Sequence, residues 1–208
     1  YMLDALNSAN VPKDNEVYKR AIVFLNRCVN NTETNDMAKV FEKEGIAIGN
    51  DGGAFYRPGE SKADTITLPN GKKVYSSYGS MTYAALKSFI FVNVDKNDSK
   101  VQGAYKWIKE HYTLDENPGF SKPDLGKQGL YYYYNTFAKA LDTYGEETLV
   151  TPDGQTHYWS KELVEKLAFL QQQDGTWTND ADRWWEGFKP IPTSYSLIAI
   201  NICRKWIK

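Results

Sequence analysis

The chain has 208 residues, 41% hydrophobic and 25% charged, with a formal net charge of −1. That supplies enough apolar material for a real core, and the near-neutral balance excludes the basic footprint that nucleic-acid binding needs. The longest apolar runs fall far short of a bilayer span, so no membrane span is expected, and no signal peptide is visible.

Taken in chain order, residues 1–6 already read as the middle of a helix. This predicts an N-terminally truncated part of a longer protein and leaves the location open, export within a longer precursor included. Asp14 stands as an N-cap before a helix whose apolar set is Val17, Ala21, Phe24 and Cys28. Gly53-Ala54-Phe55 follows, and then a strand-like stretch over 65–75, with a hairpin predicted around Pro69-Asn70-Gly71. A second helix starts near Tyr78, with Thr82-Tyr83-Ala84 early in it and Lys87 within it, either snorkelling or facing a cavity.

Asp98 caps the next predicted helix, whose apolar face is Val101, Ala104, Trp107 and Ile108. Gly119-Phe120 ends that section. A helix beginning near Gly129 carries Tyr131 to Tyr134 and then Thr136-Phe137-Ala138. Four consecutive tyrosines lie about 100° apart around a helix, so they cannot all face one core. A turn at Pro152-Asp153-Gly154 predicts a short hairpin within 149–157. Ser160 is read as the cap of a helix ending at Phe169-Leu170. The stretch 171–177, Gln-Gln-Gln-Asp-Gly-Thr-Trp, then stops that helix. Gly175 takes a left-handed conformation, the glutamines cover freed carbonyls, and Trp177 folds back as a plug. A last helix from Pro192 carries Ser194-Tyr195-Ser196. Both cysteines, Cys28 and Cys203, sit in apolar contexts without metal spacing and read as buried thiols.

Three features repeat along the chain: the hydroxyl–aromatic–small triplets, the anchor pairs Phe24-Leu25, Trp107-Ile108 and Phe169-Leu170, and the glycine–aromatic tails. This predicts a helical repeat. Residues 171–177 resemble the QW motif of squalene and oxidosqualene cyclases, with Gly53-Ala54-Phe55 and Gly119-Phe120 as degenerate copies. The alternating helix types also resemble the protein prenyltransferase β-subunits and bacterial prenyltransferase/squalene oxidase repeat proteins. The resemblance spans nearly the whole chain. It implies an all-α fold, a single partial α/α toroid over 1–208, with about three to four helical hairpins in an arc and small hairpin insertions. Inner helices would begin near Tyr78, Gly129 and Pro192. The cyclase Asp-x-Asp-Asp acid has only Asp180-Ala181-Asp182-Arg183 as its nearest counterpart. The prenyltransferase zinc set is not matched either, because His111, His157 and Cys203 are not expected to converge. No metal or cofactor is therefore expected.

Inner-helix N-termini offer unpaired amides and the positive end of a dipole. The loops at 75–80, 127–134 and 182–187 would meet there. The candidate ligand-binding residues are Tyr78, Tyr83, Lys87, Tyr132, Tyr133, Asp182, Arg183, Trp184, Trp185 and Glu186, with His157 as a further candidate base. Arg183 beside two tryptophans suits a carboxylate and apolar ring faces; the bland alternative pairs Arg183 with Asp182 or Glu186. Three functions follow: a cyclase-like protein holding an isoprenoid-like ligand in an aromatic cavity, a carbohydrate-active toroid (polysaccharide lyase or glycan-binding module), and a protein-interaction scaffold. Fold alone does not choose among them.

Overall fold

The computed structural model describes residues 2–207, apart from the side chain of Pro123; the helix tail expected at Tyr1 lies outside them. The chain is mostly α-helical with two small sheets rather than all-α, and it divides into two compact units, Tyr1–Ile108 and Lys109–Lys208.

The first unit contains α1 (Met2–Ser8), α2 (Glu16–Asn26), α3 (Ala38–Glu42), β1 (Ile46–Ala47), β2 (Thr65–Thr67), β3 (Lys73–Tyr75), α4 (Gly79–Phe91) and most of α5 (Ser99–Glu110). The cap of α2 is Asn15, one residue after the expected Asp14; its side chain accepts from the Val17 amide at 3.0 Å. Asp98 does cap α5, accepting from the Lys100 amide at 2.9 Å. Leu3, Tyr18, Ala21 and Val92 form the core where α1, α2 and α4 meet. Phe24, expected as an anchor, is instead 52% exposed.

The hairpin over 65–75 forms with Ile66 opposite Val74. The strand β1, not foreseen, adds to it in parallel beside β3. Phe55 is buried as expected, but in a cluster with Phe41 and Tyr75 beneath this sheet rather than between helix pairs; its ring centroid lies 5.2 Å from that of Tyr75. Gly53 allows the close approach that places it. A Cβ there would come within 2.5 Å of Ser77 Cβ and 2.7 Å of Trp107 Cδ1.

The second unit contains α6 (Pro123–Gly126), α7 (Leu130–Tyr144), β4 (Leu149–Val150), β5 (Thr156–His157), α8 (Trp159–Leu170) and α9 (Pro190–Cys203). The helix α7 is its centre, buried along most of its length and packed on α8 and α9. The expected hairpin within 149–157 forms as β4–β5. Ser160, expected as a cap, lies inside α8 and is buried. Of the anchor pair Phe169-Leu170, Phe169 is 83% exposed.

The end of α8 explains the glutamine–glycine–tryptophan stretch. Gly175 has φ 81°, the left-handed turn expected of it. The Gln171 side-chain amide donates to the Gly175 carbonyl at 2.9 Å, so it closes the loop rather than covering helix carbonyls. The indole of Trp177 does that work instead, donating from Nε1 to the Leu167 carbonyl at 2.8 Å. The Trp177 amide in turn donates to Thr193 Oγ1 of α9 at 3.1 Å. One buried residue thus ties the end of α8, through its indole, to the start of α9, through its backbone amide. Cys28 and Cys203 are buried free thiols, each pushed up to about 12 chiefly by burial, which keeps them protonated and unreactive.

Candidate functional site

The site in the second unit is built around the first turn of α7. Gly129 precedes that helix with φ 70°, a left-handed conformation that a residue with a Cβ adopts only with strain. The first amides of a helix lack intrahelical partners. Here a carboxylate from the 178–188 loop fills that role. Glu186 is fully buried and accepts from the Tyr132 amide at 2.8 Å (Oε1) and the Tyr131 amide at 3.2 Å (Oε2). Asn179 Nδ2 donates to the same Oε2 at 2.8 Å and also to the Lys127 carbonyl at 2.8 Å. Burial raises the Glu186 carboxyl above its ordinary value, against hydrogen bonds that pull it down. The amides of α7 expected to await an anionic ligand are therefore already occupied by the protein's own anion.

Anchoring Glu186 has a consequence for the residues just before it. Arg183–Trp185 form a single 3-10 turn, and Trp184 and Trp185 both have positive φ, 71° and 65°. Their indoles are 49% and 76% exposed. Trp184 stands over the chain at Gly129, where an added Cβ would meet its Cδ1 at 3.3 Å. The Arg183 guanidinium lies 4.7 Å from the Trp184 ring centroid and donates to Gln128 Oε1 at 3.2 Å. Arg183 makes no ion pair with Asp182 or Glu186; Asp182 is exposed, at the start of the turn. Of the expected residues, Tyr132, Asp182, Arg183, Trp184, Trp185 and Glu186 are brought together here, and Tyr132 is half-buried with its ring edge on Tyr195 at 5.8 Å.

The other tyrosines of the run serve packing. Tyr133 and Tyr134 are fully buried, and their hydroxyls donate to the carbonyls of Thr113 (2.8 Å) and Leu114 (2.6 Å). Tyr131 is also buried, but it lines a cleft of about 540 Å³ with Leu130, Leu170, Asp124, Lys127 and Asp180.

In the first unit, Tyr78 and Tyr83 are buried within and beside the start of α4. Lys87 is buried. Its ammonium pairs with Asp4 Oδ2 of α1 at 2.8 Å and lies 5.5 Å from the Phe91 ring, a helix-to-helix contact. An apolar groove of about 350 Å³ in this unit is lined by Met2, Val17, Phe24 and Leu25, and by none of these three residues.

His157, named as a candidate base, sits in a cluster whose other members, Tyr112 and Glu162, sequence reasoning missed. His157 Nδ1 lies 3.0 Å from Glu162 Oε2, and the His157 ring stacks on Tyr112 with centroids 4.1 Å apart. Tyr112 donates its hydroxyl to the same Glu162 oxygen at 2.9 Å and is pushed far above the ordinary phenol range, first by burial and then by the Glu162 charge. The only signal for this in the sequence was the spacing of His157 and Glu162 across the start of α8. Asn179 and Gln128, the partners of Glu186 and Arg183, were likewise not singled out.

Among the described residues no group of three or more His, Cys, Asp or Glu side chains is placed to hold a metal ion, and no helix is long and apolar enough to cross a membrane. No protein-family model, no curated protein and no solved structure matches the chain, so the geometry of Glu186, Arg183 and the two tryptophans is what a functional reading must stand on.

Proposed function

We propose that the second unit is a carbohydrate-binding module that lays a sugar ring across Trp184 and Trp185 and holds a carboxylate of the glycan on Arg183. The observation that carries this reading is the backbone. Two consecutive tryptophans are held in left-handed conformation with their indoles toward solvent. Such strain costs of order 1–3 kcal/mol per residue and persists where its surroundings over-determine it. Here the anchors are Glu186 below and Gln128 beside. An indole face meets the apolar face of a sugar ring, and a guanidinium already stacked on one indole is oriented for bidentate carboxylate recognition. A glycan panel that includes uronate-bearing oligosaccharides tests this, read on the native chain and on Arg183→Ala. Retained uronate binding by Arg183→Ala, or no binding of any glycan by the native chain, contradicts it.

A second reading is favoured by Trp177. An aromatic that follows a left-handed glycine, covers a carbonyl of one helix and bonds to the next is the wedge expected of a QW-type repeat. On this reading the chain is a partial α/α toroid related to terpenoid cyclases and prenyltransferase subunits, with an isoprenoid-like ligand. Thermal shift with squalene analogues and isoprenoid diphosphates tests it; no stabilisation by any of them removes the ligand. The burial and hydrogen bonding of Tyr133 and Tyr134 leave fewer aromatic faces for such a ligand, which is why the glycan reading stands first.

A further inference from the structure

The two tryptophans are not the last exposed rings of their loop. Phe188 is 60% exposed and meets no other ring among the described residues. One exposed phenylalanine needs no explanation. Three exposed aromatic rings within residues 184–188 do. The loop that carries them is closed on itself. The Asn179 amide donates to the Glu186 carbonyl at 3.0 Å, and a Cβ added to Gly187 would meet Asp182 Cβ at 2.7 Å.

Backbone bonds set the spacing of these rings. The Trp185 amide donates to the Asp182 carbonyl at 3.0 Å, the Phe188 amide to the Trp185 carbonyl at 3.1 Å, and the Ile191 amide to the Phe188 carbonyl at 3.0 Å. Each bond closes a four-residue turn, whose end Cα atoms lie within about 7 Å of each other. Trp185, Phe188 and the half-buried Ile191 therefore follow one another at a short, regular step. Nothing stands up between Trp185 and Phe188, because Glu186 is fully buried and Gly187 has no side chain. Neighbouring rings of one oligosaccharide cover such a step.

Positive charge is confined to one place in this row. Arg183 lies on the Trp184 ring and has no carboxylate partner among the described residues. Lys189, the other cation between 178 and 191, is held by Asp174 at 2.6 Å. Asp182 is exposed at the start of the row and repels a second carboxylate. One ligand ring has a cation for its carboxylate, and the ring beside it has none.

We infer that Phe188 is a second sugar subsite, and that the platform takes a glycan in which a uronate alternates with an uncharged sugar. The uronate lies across the tryptophans with its carboxylate on Arg183, and the apolar face of the next ring lies on Phe188. This inference rests on the glycan reading of the platform and adds to it the identity of the neighbouring ring.

The test is calorimetric titration of the native chain with three probes at neutral pH. They are methyl glucuronoside, a hyaluronan tetrasaccharide, which alternates glucuronate with N-acetylglucosamine, and tetragalacturonate, which carries a carboxylate on every ring. The hyaluronan tetrasaccharide is expected to bind about tenfold more tightly than either of the others, a gain within the reach of one further ring laid on an aromatic face. Phe188→Ala is expected to bring it down to the level of methyl glucuronoside, and Phe188→Tyr, which keeps the ring face, to retain it. Hyaluronan tetrasaccharide binding untouched by Phe188→Ala, or no tighter than methyl glucuronoside, overturns the second subsite. Tetragalacturonate binding as tightly as the hyaluronan tetrasaccharide overturns the alternation. No binding of the three probes by a chain that binds another glycan overturns this inference and leaves the platform. Retained uronate binding by Arg183→Ala overturns the platform itself, so the two fail separately.

Discussion

The indole nitrogen of Trp177 donates to the carbonyl of Leu167 at 2.8 Å, across ten residues and a left-handed glycine. A helix end leaves its last carbonyls without amide partners, and a buried aromatic supplies one. Trp177→Phe removes the donor and, being the smaller ring, also leaves a void at this buried site. It is expected to cost about 2–3 kcal/mol, because a buried carbonyl is left unsatisfied and packing contacts are lost. For a chain of this size that is a fall in melting temperature of roughly 8 °C, read by scanning calorimetry. A melting temperature equal to the native one contradicts the role given to this bond.

Trp185 offers a sharper test, because strain and function pull in opposite directions there. Glycine adopts positive φ without the steric cost that tryptophan meets, and the Trp185 indole is 76% exposed. Relief of about 1–3 kcal/mol of strain outweighs the roughly 0.5–1 kcal/mol of extra chain entropy that glycine loses on folding, so Trp185→Gly is expected to raise stability by about 1 kcal/mol while abolishing glycan binding. Denaturant titration reads the first and a glycan panel the second. Loss of stability on this substitution indicates that the indole serves packing.

Glu186 makes stability depend on pH in a defined direction. Its carboxyl is raised in the folded chain above its ordinary value, so between those two values the folded state holds more protons than the unfolded one. The stability it contributes is present in full below the ordinary carboxylate value. It is lost as pH rises through the raised folded value, beyond which the slope from this group vanishes. Glu186→Gln removes that slope. It also replaces one acceptor oxygen by a donor facing the Tyr132 amide, or in the other orientation the Tyr131 amide and Asn179, so it is expected to lower stability at neutral pH as well. Urea titrations of both proteins across the acidic range read both effects. An identical pH profile for the variant removes the linkage.

Gly53 is fixed by close approach. A methyl group there meets Ser77 and Trp107 well inside van der Waals contact. Gly53→Ala is expected to cost about 1–3 kcal/mol through overpacking. The Gly53 backbone is not in the left-handed region, so strain in φ adds nothing to that cost. A stability of Gly53→Ala equal to that of the native chain contradicts the close approach.

Local chemistry was legible in the sequence. Asn70-Gly71 and Asp153-Gly154 announced two hairpins because those pairs suit turn conformations that few others do. Asp98 announced its helix, whereas at Asp14-Asn15 two adjacent residues could both cap and the sequence does not choose. The strand β1 is two residues long and exists only because β3 lies beside it, which no local pattern records. The tyrosine run was ambiguous for a related reason. Which of Tyr131 to Tyr134 faces a cleft depends on where the 112–115 carbonyls lie. Glu186 was singled out as a neighbour of Arg183. Its real partners, the α7 amides, are 54 and 55 residues away in sequence, a pairing that only tertiary packing creates.

The most direct test of the central claim is the indole N–H region of the NMR spectrum during titration with a uronate-bearing oligosaccharide. The glycan reading predicts that the signals of Trp184 and Trp185 move and saturate together, while those of the buried Trp107, Trp159 and Trp177 stay in place. Saturable shifts confined to the buried indoles, or no shift at any tryptophan, contradict it.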